Sequence, residues 1–172
     1  MPAAPHPTGA MQGDCDVFLH VQTKRAGKIK GEARGRGHDD DIVVHGWRWG
    51  LSVSTAVGSA RATSQRSYTA LTVDKQIDSA TTALMSALAT NDEVKELTLA
   101  MRRAGGEQED YFTIKLKAGR ISSLQHEADA EGRTVETVTV AFTQVELEYR
   151  PQGTSGRRGG AFSFWDELPS SS

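Results

Sequence analysis

The amino-acid sequence predicts a mainly β protein whose sheet is curved or closed into a barrel, with one short flanking α-helix. Three observations support this fold class. Apolar and polar residues alternate in several segments, which is the period-two pattern of half-buried strands. Only one segment carries apolar residues at three- and four-residue steps, the pattern of an amphipathic helix. The last predicted strand changes phase along its length, as strands of closed or strongly curved sheets do.

The N-terminal half contains strand candidates separated by polar segments. Residues 16–22 alternate, and residues 68–75 form a further candidate. Residues 41–54 are predicted to form one long strand with a mostly apolar line at its odd positions. That line consists of Val43, His45, Trp47, Trp49, Leu51 and Val53. Residues 23–37 are rich in Gly, Lys and Arg and are too polar for a core strand, except near Ile29.

Residues 55–65 contain mainly small side chains. Such a segment lacks the apolar mass that would fix it against the core of its own subunit. We therefore expect a long, protruding loop here.

The predicted helix follows this loop and the next strand candidate. Its apolar face is formed by Ile77, Thr81, Leu84, Met85 and Leu88. Asp78 is expected to act as its N-cap and Asn91 to end it. Because about three turns are too short to be stable alone, we expect the helix to dock on the sheet.

The C-terminal half is predicted to contain a hairpin and two further strands. Residues 97–101 and 112–116 form the hairpin around Gly105 and Gly106, and the further strands are 119–127 and 133–149. In the last strand the apolar positions are even up to Phe142 and odd from Val145 onward, so the phase slips near Thr143 and Gln144. A bulge or sharp coil at a barrel corner would cause the slip; the alternative is a strand that passes from the core into a subunit contact.

The chain is predicted to form one domain. Residues 1–15 are a flexible N-terminal extension, residues 16–150 are the folded β-barrel unit, and residues 151–172 are a tail whose aromatic cluster is expected to dock. The first 13 residues lack the apolar centre of a secretory signal. No segment approaches the roughly 20 apolar residues of a spanning helix, so we expect no membrane insertion.

The sequence offers no catalytic, cofactor-binding or metal site, and we expect no enzymatic activity. The cluster from His38 to Asp41 lacks the spaced oxygen ligands of a calcium loop and is interpreted as a solvated turn. His45 is interpreted as a hydrogen-bonded core or interface histidine. Cys15 is the single cysteine and lies in a start of the chain that is expected to be weakly structured, so no nucleophile is set up there.

Nucleic acid is an equally poor fit as a partner. Basic residues cluster between Lys24 and Arg36, yet no aromatic side chain is interleaved with them to stack bases. The formal net charge of the chain is −2. We therefore interpret the segment as a solvated loop or as the complement of an acidic patch on a neighbouring subunit.

Taken in order, these segments resemble the Hcp family, the tube protein of bacterial type VI secretion systems. The resemblance is sharpest over residues 41–50, whose Gly46-Trp47-Arg48-Trp49-Gly50 is similar to a Trp-Ser-Trp-Gly strand of the family. It extends in order over 16–19, 27–32, 74–78, 84–85, 102–106, 140–145 and 149–152. Arg48 departs from the pattern by placing a charge on the face opposite the two tryptophans.

The resemblance implies a β-barrel with a flanking helix that assembles as a homo-hexameric ring. Rings of the family stack into a hollow tube that a contractile sheath surrounds and a VgrG spike caps, and the lumen can carry and stabilise effector proteins. It also implies a protein that is cytoplasmic before firing and is then secreted without a signal peptide. By analogy, the protruding loop would contact a neighbouring subunit or ring through Ala56, Val57, Gly58, Ser59, Ala60 and Arg61.

Two other functions were weighed against the structural one. A small-ligand-binding β-barrel would need a hollow interior, whereas Trp47, Trp49, Phe112 and Phe142 favour a filled one. A hydrolase would need a nucleophile and a base, and the sequence shows no such pair. The strands carry more apolar surface than one barrel interior can hide, which favours contacts between subunits.

Overall fold

The structure, a computed structural model, describes residues 15–61, 65–103, 109–151 and 160–169. These ranges contain twelve strands and one helix. The elements in chain order are β1 (Cys15–Thr23), β2 (Gly27–Ile29), β3 (Ile42–Val44), β4 (Gly46–Arg48), β5 (Leu51–Ser52), β6 (Ser67–Tyr68), β7 (Leu71–Lys75), α1 (Thr81–Ala89), β8 (Val94–Arg103), β9 (Asp110–Ala128), β10 (Thr134–Ala141), β11 (Gln144–Tyr149) and β12 (Phe162–Glu167).

Antiparallel pairing joins ten of these strands into one sheet. The hydrogen-bonded order is β2-β1-β8-β9-β10-β7-β4, with β3 beside β1, β11 beside β9, and β12 beside β11. Within the described residues this order ends at β2 and β4 and does not return on itself. The mainly β fold with one short helix is thus confirmed, but a closed barrel is not what the strand pairing forms. The predicted hexameric ring concerns several copies and is treated as a proposal below.

The predicted hairpin of β8 and β9 is confirmed. Leu97 lies opposite Leu116 and Leu99 lies opposite Ile114, and all four side chains are buried. The expected Gly105-Gly106 connection lies outside the described residues. Because these pairs share one face of the ladder, they form the centre of the hydrophobic core.

The two strands predicted over 112–116 and 119–127 are one strand, β9, of 19 residues. Its first half pairs with β8 and β11, and its second half pairs with β10. Ala118 has a φ of +50° at the change of partner. A Cβ added at Gly119 would collide with the carbonyl oxygen of Ala141, so only glycine permits this approach of the two backbones.

The predicted phase slip in the last strand is confirmed as a break between β10 and β11. Val140 is buried before the break and Val145 after it. Between them the Thr143 hydroxyl donates a hydrogen bond to the carbonyl of Ala118 at 3.1 Å. The slip therefore lies beside the bend of β9, where the chain passes from one partner set to the next.

The long strand predicted over 41–54 is wrong, because the structure has three short strands there. In β3 the even-numbered residues Ile42 and Val44 are buried and Val43 is exposed. His45 is exposed and is not a core histidine, while Trp47 and Trp49 are half-buried. The phase changes at His45 because β3 pairs with β1, whereas β4 pairs with β7.

Helix α1 is confirmed, but with a different start and a different buried face. Its N-cap is Ala80, and Asp78 lies before it and accepts a hydrogen bond from the Ala80 amide at 2.9 Å. The buried side chains of the helix are Thr81, Leu84 and Ala87. Ile77 and Met85, both predicted to face the core, are exposed. Asn91 follows the last turn with a φ of +55°, as expected of a residue that ends a helix.

Candidate assembly surfaces

The predicted loop is exposed along all of its described length. The six candidate contact residues are Ala56, Val57, Gly58, Ser59, Ala60 and Arg61, and each is exposed. Residues 62–64 lie outside the described residues. Leu51 and Val53, which precede the loop, are also exposed, so the segment presents apolar side chains to its surroundings.

The base of the loop is a small hairpin held by aromatic rings. Leu51 pairs with Tyr68 and Ser52 with Ser67 in the ladder of β5 and β6. The Tyr68 ring stacks on Trp49 with centroids 5.7 Å apart, and the rings of Phe142 and Tyr68 meet edge to face, also with centroids 5.7 Å apart. This stack attaches the loop to the rest of the protein and accounts for the half-burial of Trp49.

The aromatic residues of the C-terminal tail lie on β12, which adds a strand beside β11. Phe164 lies opposite Leu147 and Phe162 opposite Tyr149 in the ladder. Phe162, Phe164 and Trp165 nevertheless remain exposed, Trp165 by 61 %. Among the described strands β12 pairs only with β11, so its outer edge is open.

Asp166 of β12 also reaches the base of the loop. Its carboxylate accepts two hydrogen bonds from the Arg66 guanidinium, at 2.5 and 2.7 Å, and one from the Tyr68 hydroxyl at 2.9 Å. The hydrogen bonds from Arg66 hold the pKa of Asp166 below its usual value. Burial, together with the bond to Asp166, raises the pKa of Tyr68 to about 12.

A row of ionisable side chains crosses three neighbouring strands of the sheet: Lys75 on β7, Glu136 on β10 and His126 on β9. Lys75 and Glu136 are opposite each other in the ladder, and their side chains are both 0 % exposed. Lys75 Nζ lies 3.1 Å from Glu136 Oε1 and 2.9 Å from Asp78 Oδ1. Glu136 also accepts a hydrogen bond from Thr81 at 2.7 Å and contacts His126 at 3.1 Å.

Opposing effects set the protonation of Glu136. Burial by itself raises the pKa of this carboxyl. The hydrogen bonds from Thr81, Lys75 and His126 and the charge of Lys75 outweigh burial and lower the pKa below its usual value. Glu136 is therefore a carboxylate at neutral pH. Sequence reasoning missed its contact with Lys75 because the two residues lie 61 positions apart.

The segment from His38 to Asp41 is not the solvated turn that the sequence suggested. His38 is buried between Asp110 and Asp41, at 2.8 and 2.9 Å, and stacks on Phe18 with centroids 4.4 Å apart. Its hydrogen bonds to Asp110 and Asp41 raise the pKa of His38 to about 9. Burial raises the pKa of Asp41, but bonds from His38, His20 and Lys28 lower it to about 2.

Several basic side chains of residues 23–37 pair with acids of the same chain. Lys24 lies 2.8 Å from Glu93, and Arg34 lies 2.9 Å from Asp40. Ile29 is buried, as expected for this segment. Intramolecular pairing thus takes up part of the positive charge that phosphate groups would require.

The described residues do not bring together three or more His, Cys, Asp or Glu side chains in a way that could hold a metal ion. Cys15 Sγ lies 3.4 Å from the Tyr111 hydroxyl, and this contact, together with burial, raises the pKa of Tyr111. A shallow cavity of about 10 Å³ is lined by Lys115, Lys117, Gln144, Val145, Glu146 and Trp165. This cavity is smaller than the roughly 300–1,000 Å³ of typical small-molecule sites. No helix in the described ranges has the length and hydropathy to span a bilayer.

Comparison of the sequence with known families and proteins gives one consistent result. A family model described as "Type VI secretion system effector, Hcp" matches residues 18–149. The protein hcp1 of Pseudomonas aeruginosa is 33 % identical over 149 residues, which cover 84 % of this chain and 89 % of the relative. The "Major exported protein" of the same organism is 24 % identical over 135 residues, covering 73 % of this chain and 78 % of the relative.

Solved structures agree with this result. Hcp1 from Salmonella typhimurium superposes with a TM-score of 0.71 at 26 % identity, covering 90 % of this chain and 94 % of the other. A structure described as a type six secretion system protein gives a TM-score of 0.78 at 26 % identity, covering 89 % of this chain and 95 % of the other.

Proposed function

The chain belongs to the Hcp family of type VI secretion proteins, and on this basis we propose that it is the structural subunit of the inner tube. In this proposal six copies close into a ring, and rings stack into a hollow conduit that is expelled. The comparisons give no support to the small-ligand-binding alternative.

The observation that carries the proposal is the exposed apolar surface at two places of one folded unit. The loop around Val57 and the strand β12 with Trp165 both present apolar side chains. Surfaces of this kind mark contacts with other proteins. A ring repeats one heterologous contact until it closes, while stacking is a second, head-to-tail contact that continues without closing.

Further parts of the proposal come from the family. The contractile sheath would surround the tube, the VgrG spike would cap it, and effector proteins would travel in its lumen. The protein would be cytoplasmic before firing and would leave the cell through the secretion system. In this function it acts as a structural subunit rather than as an enzyme. The proposed tube unit is residues 16–150, to which β12 adds one strand.

The loop is proposed as the contact between subunits or rings through residues 56–61. Ala60→Glu places a charge in this contact while the side chain stays in solvent in the single subunit, so assembly should weaken and folding should not change. Ala130→Glu is the matched control, because Ala130 lies in the exposed turn after β9, at the far end of β10 from the strands that lead to the loop.

Native mass spectrometry and electron microscopy measure the outcome. We expect wild type and Ala130→Glu to give a species of six times 18.6 kDa, seen as rings, and Ala60→Glu to give smaller species whose subunits remain folded. Wild-type protein that stays monomeric at high concentration would refute the ring, and intact rings of Ala60→Glu would refute the role of the loop.

A further inference from the structure

The C-terminal strand and the protruding loop meet at one carboxylate, although they are about 100 positions apart in the chain. We infer that Asp166 is a positioning residue that fixes the base of the loop, and so couples the C-terminal strand to the surface that the loop presents. The role of this contact in assembly rests on the proposed function. The contact itself does not.

The strand that carries Asp166, β12, holds this residue in place. Its backbone lies in the β11–β12 ladder opposite Val145, which is buried in the core. Its side chain is only 15 % exposed. The ladder therefore fixes the backbone of Asp166 relative to the core, and the contacts with the loop base cover its carboxylate.

The loop side supplies three donors to this carboxylate. The Arg66 guanidinium binds both oxygens in a fork, a geometry that fixes direction as well as distance. The same guanidinium also donates to the carbonyl of Glu167 at 3.1 Å. The Tyr68 hydroxyl adds a third bond to Asp166, while the ring of Tyr68 is fixed by stacking on Trp49.

The base of the loop depends on such contacts because its own ladder is short. β5 and β6 form only two residue pairs, and hairpins of this size are not stable in isolation. Arg66 and Tyr68 flank the second of these pairs, at Ser67. Holding both residues therefore fixes where the exposed loop leaves the protein.

The effect is expected to be local. Arg66 is about half exposed, and exposed ion pairs add little to global stability. Losing the carboxylate should free the loop base without unfolding the sheet. A merely structural role of Asp166 would instead lower the stability of the whole protein and leave the loop no more mobile than the rest.

Asp166→Asn is the test variant, since it keeps the shape of the side chain and removes the charge. Tyr68→Phe removes only the hydroxyl bond. Glu148→Gln is the matched control. Glu148 lies on the neighbouring strand β11, and its Oε1 lies 2.5 Å from Nε of Arg150, so it also pairs with an arginine but away from the loop. The double variant Arg66→Gln/Asp166→Asn tests whether the two residues act as a unit.

Hydrogen exchange is measured by mass spectrometry for peptides covering residues 51–61 and 65–68. For each variant and for wild type, chromatographic fractions with the same oligomer mass are compared. We expect exchange at the loop base to be about two- to fivefold faster in Asp166→Asn, the range that an exposed ion pair can provide. Tyr68→Phe should show a smaller increase and Glu148→Gln none. The double variant should not exceed Asp166→Asn, and the thermal midpoints of Asp166→Asn and wild type should agree.

Unchanged loop exchange in Asp166→Asn, or a rise spread evenly over the whole sheet, would overturn the inference. The oligomer mass of each variant is recorded separately. If wild type forms no ring but the loop base exchanges faster in Asp166→Asn, the positioning role stands and the proposed tube function fails. If wild type forms rings but loop exchange is unchanged in Asp166→Asn, the proposed tube function stands and the positioning role of Asp166 fails.

Discussion

The buried pair of Lys75 and Glu136 allows a sharp test of what holds the fold together. Lys75→Met removes the ammonium and fills nearly the same volume with an apolar chain. Glu136 would then remain buried as a carboxylate that keeps only the hydroxyl of Thr81 and the partly exposed His126 as partners. Removing one partner of a buried ion pair costs about 3–5 kcal/mol, because the other charge is left uncompensated.

The structure places Lys75 at the upper part of this range. Its ammonium contacts Glu136, Asp78 and Thr81, so one substitution removes three contacts at once. In a chain of 172 residues each kcal/mol shifts the unfolding midpoint by about 2–4 °C, so a loss of about 4–5 kcal/mol should lower it by about 8–20 °C.

The matched control replaces both members of the pair. Lys75→Met/Glu136→Leu leaves no buried charge at these two positions, and apolar replacement of a whole buried pair is often close to neutral. We therefore expect the double variant to be more stable than Lys75→Met alone. Urea unfolding monitored by tryptophan fluorescence gives the free energies. A loss below about 1 kcal/mol in Lys75→Met would refute the reasoning, because that is the scale of an exposed pair.

Two further outcomes are expected from the structure. Gly119→Ala should lower the free energy of unfolding by about 2 kcal/mol or more, because its Cβ would collide with the Ala141 carbonyl oxygen. Gly160→Ala is the control, because its Cβ meets open space and its φ lies outside the left-handed region; equal losses in the two variants would contradict the collision. The raised pKa of His38 means that the folded protein keeps a proton which the unfolded chain releases above pH 6.5. The contribution of His38 to the free energy of unfolding is therefore full below pH 6.5. It declines by up to about 1.4 kcal/mol per pH unit until about pH 9. His38→Gln should flatten this decline in urea titrations at pH 6, 7.5 and 9. An unchanged slope would show that Asp41 and Asp110 do not hold a protonated imidazole against the opposing charge of Arg102.

The sequence predicted those features that depend on local periodicity. The β8–β9 hairpin follows from alternation in two adjacent segments, and the break near Thr143 follows from the fixed two-residue period of a strand. The exposed loop follows from a run of small residues that could not anchor itself. Each of these signals lies within about twenty residues of chain, so no knowledge of distant partners is needed.

Features that depend on partners distant in sequence could not be predicted in this way. Ile42 and Val44 are buried because β3 pairs with β1, whereas the residues after His45 form β4, which pairs with β7. Periodicity alone gives no sign of that change of partner. The burial of Lys75 is also set from outside its segment, because Glu136 arrives from β10. A lysine within an alternating strand was a signal that could have raised the question of a buried acid, but not its position.

The length of β9 has a mechanical consequence. The same backbone runs without interruption from the ladder shared with β8 and β11 into the ladder shared with β10. The two halves of the sheet therefore share one continuous backbone, and at Gly119 that backbone passes close to the Ala141 carbonyl. A load applied to β12 would be transmitted through β11 into β9 and onward to β10 and β7, so that separating the halves requires shearing many backbone hydrogen bonds together.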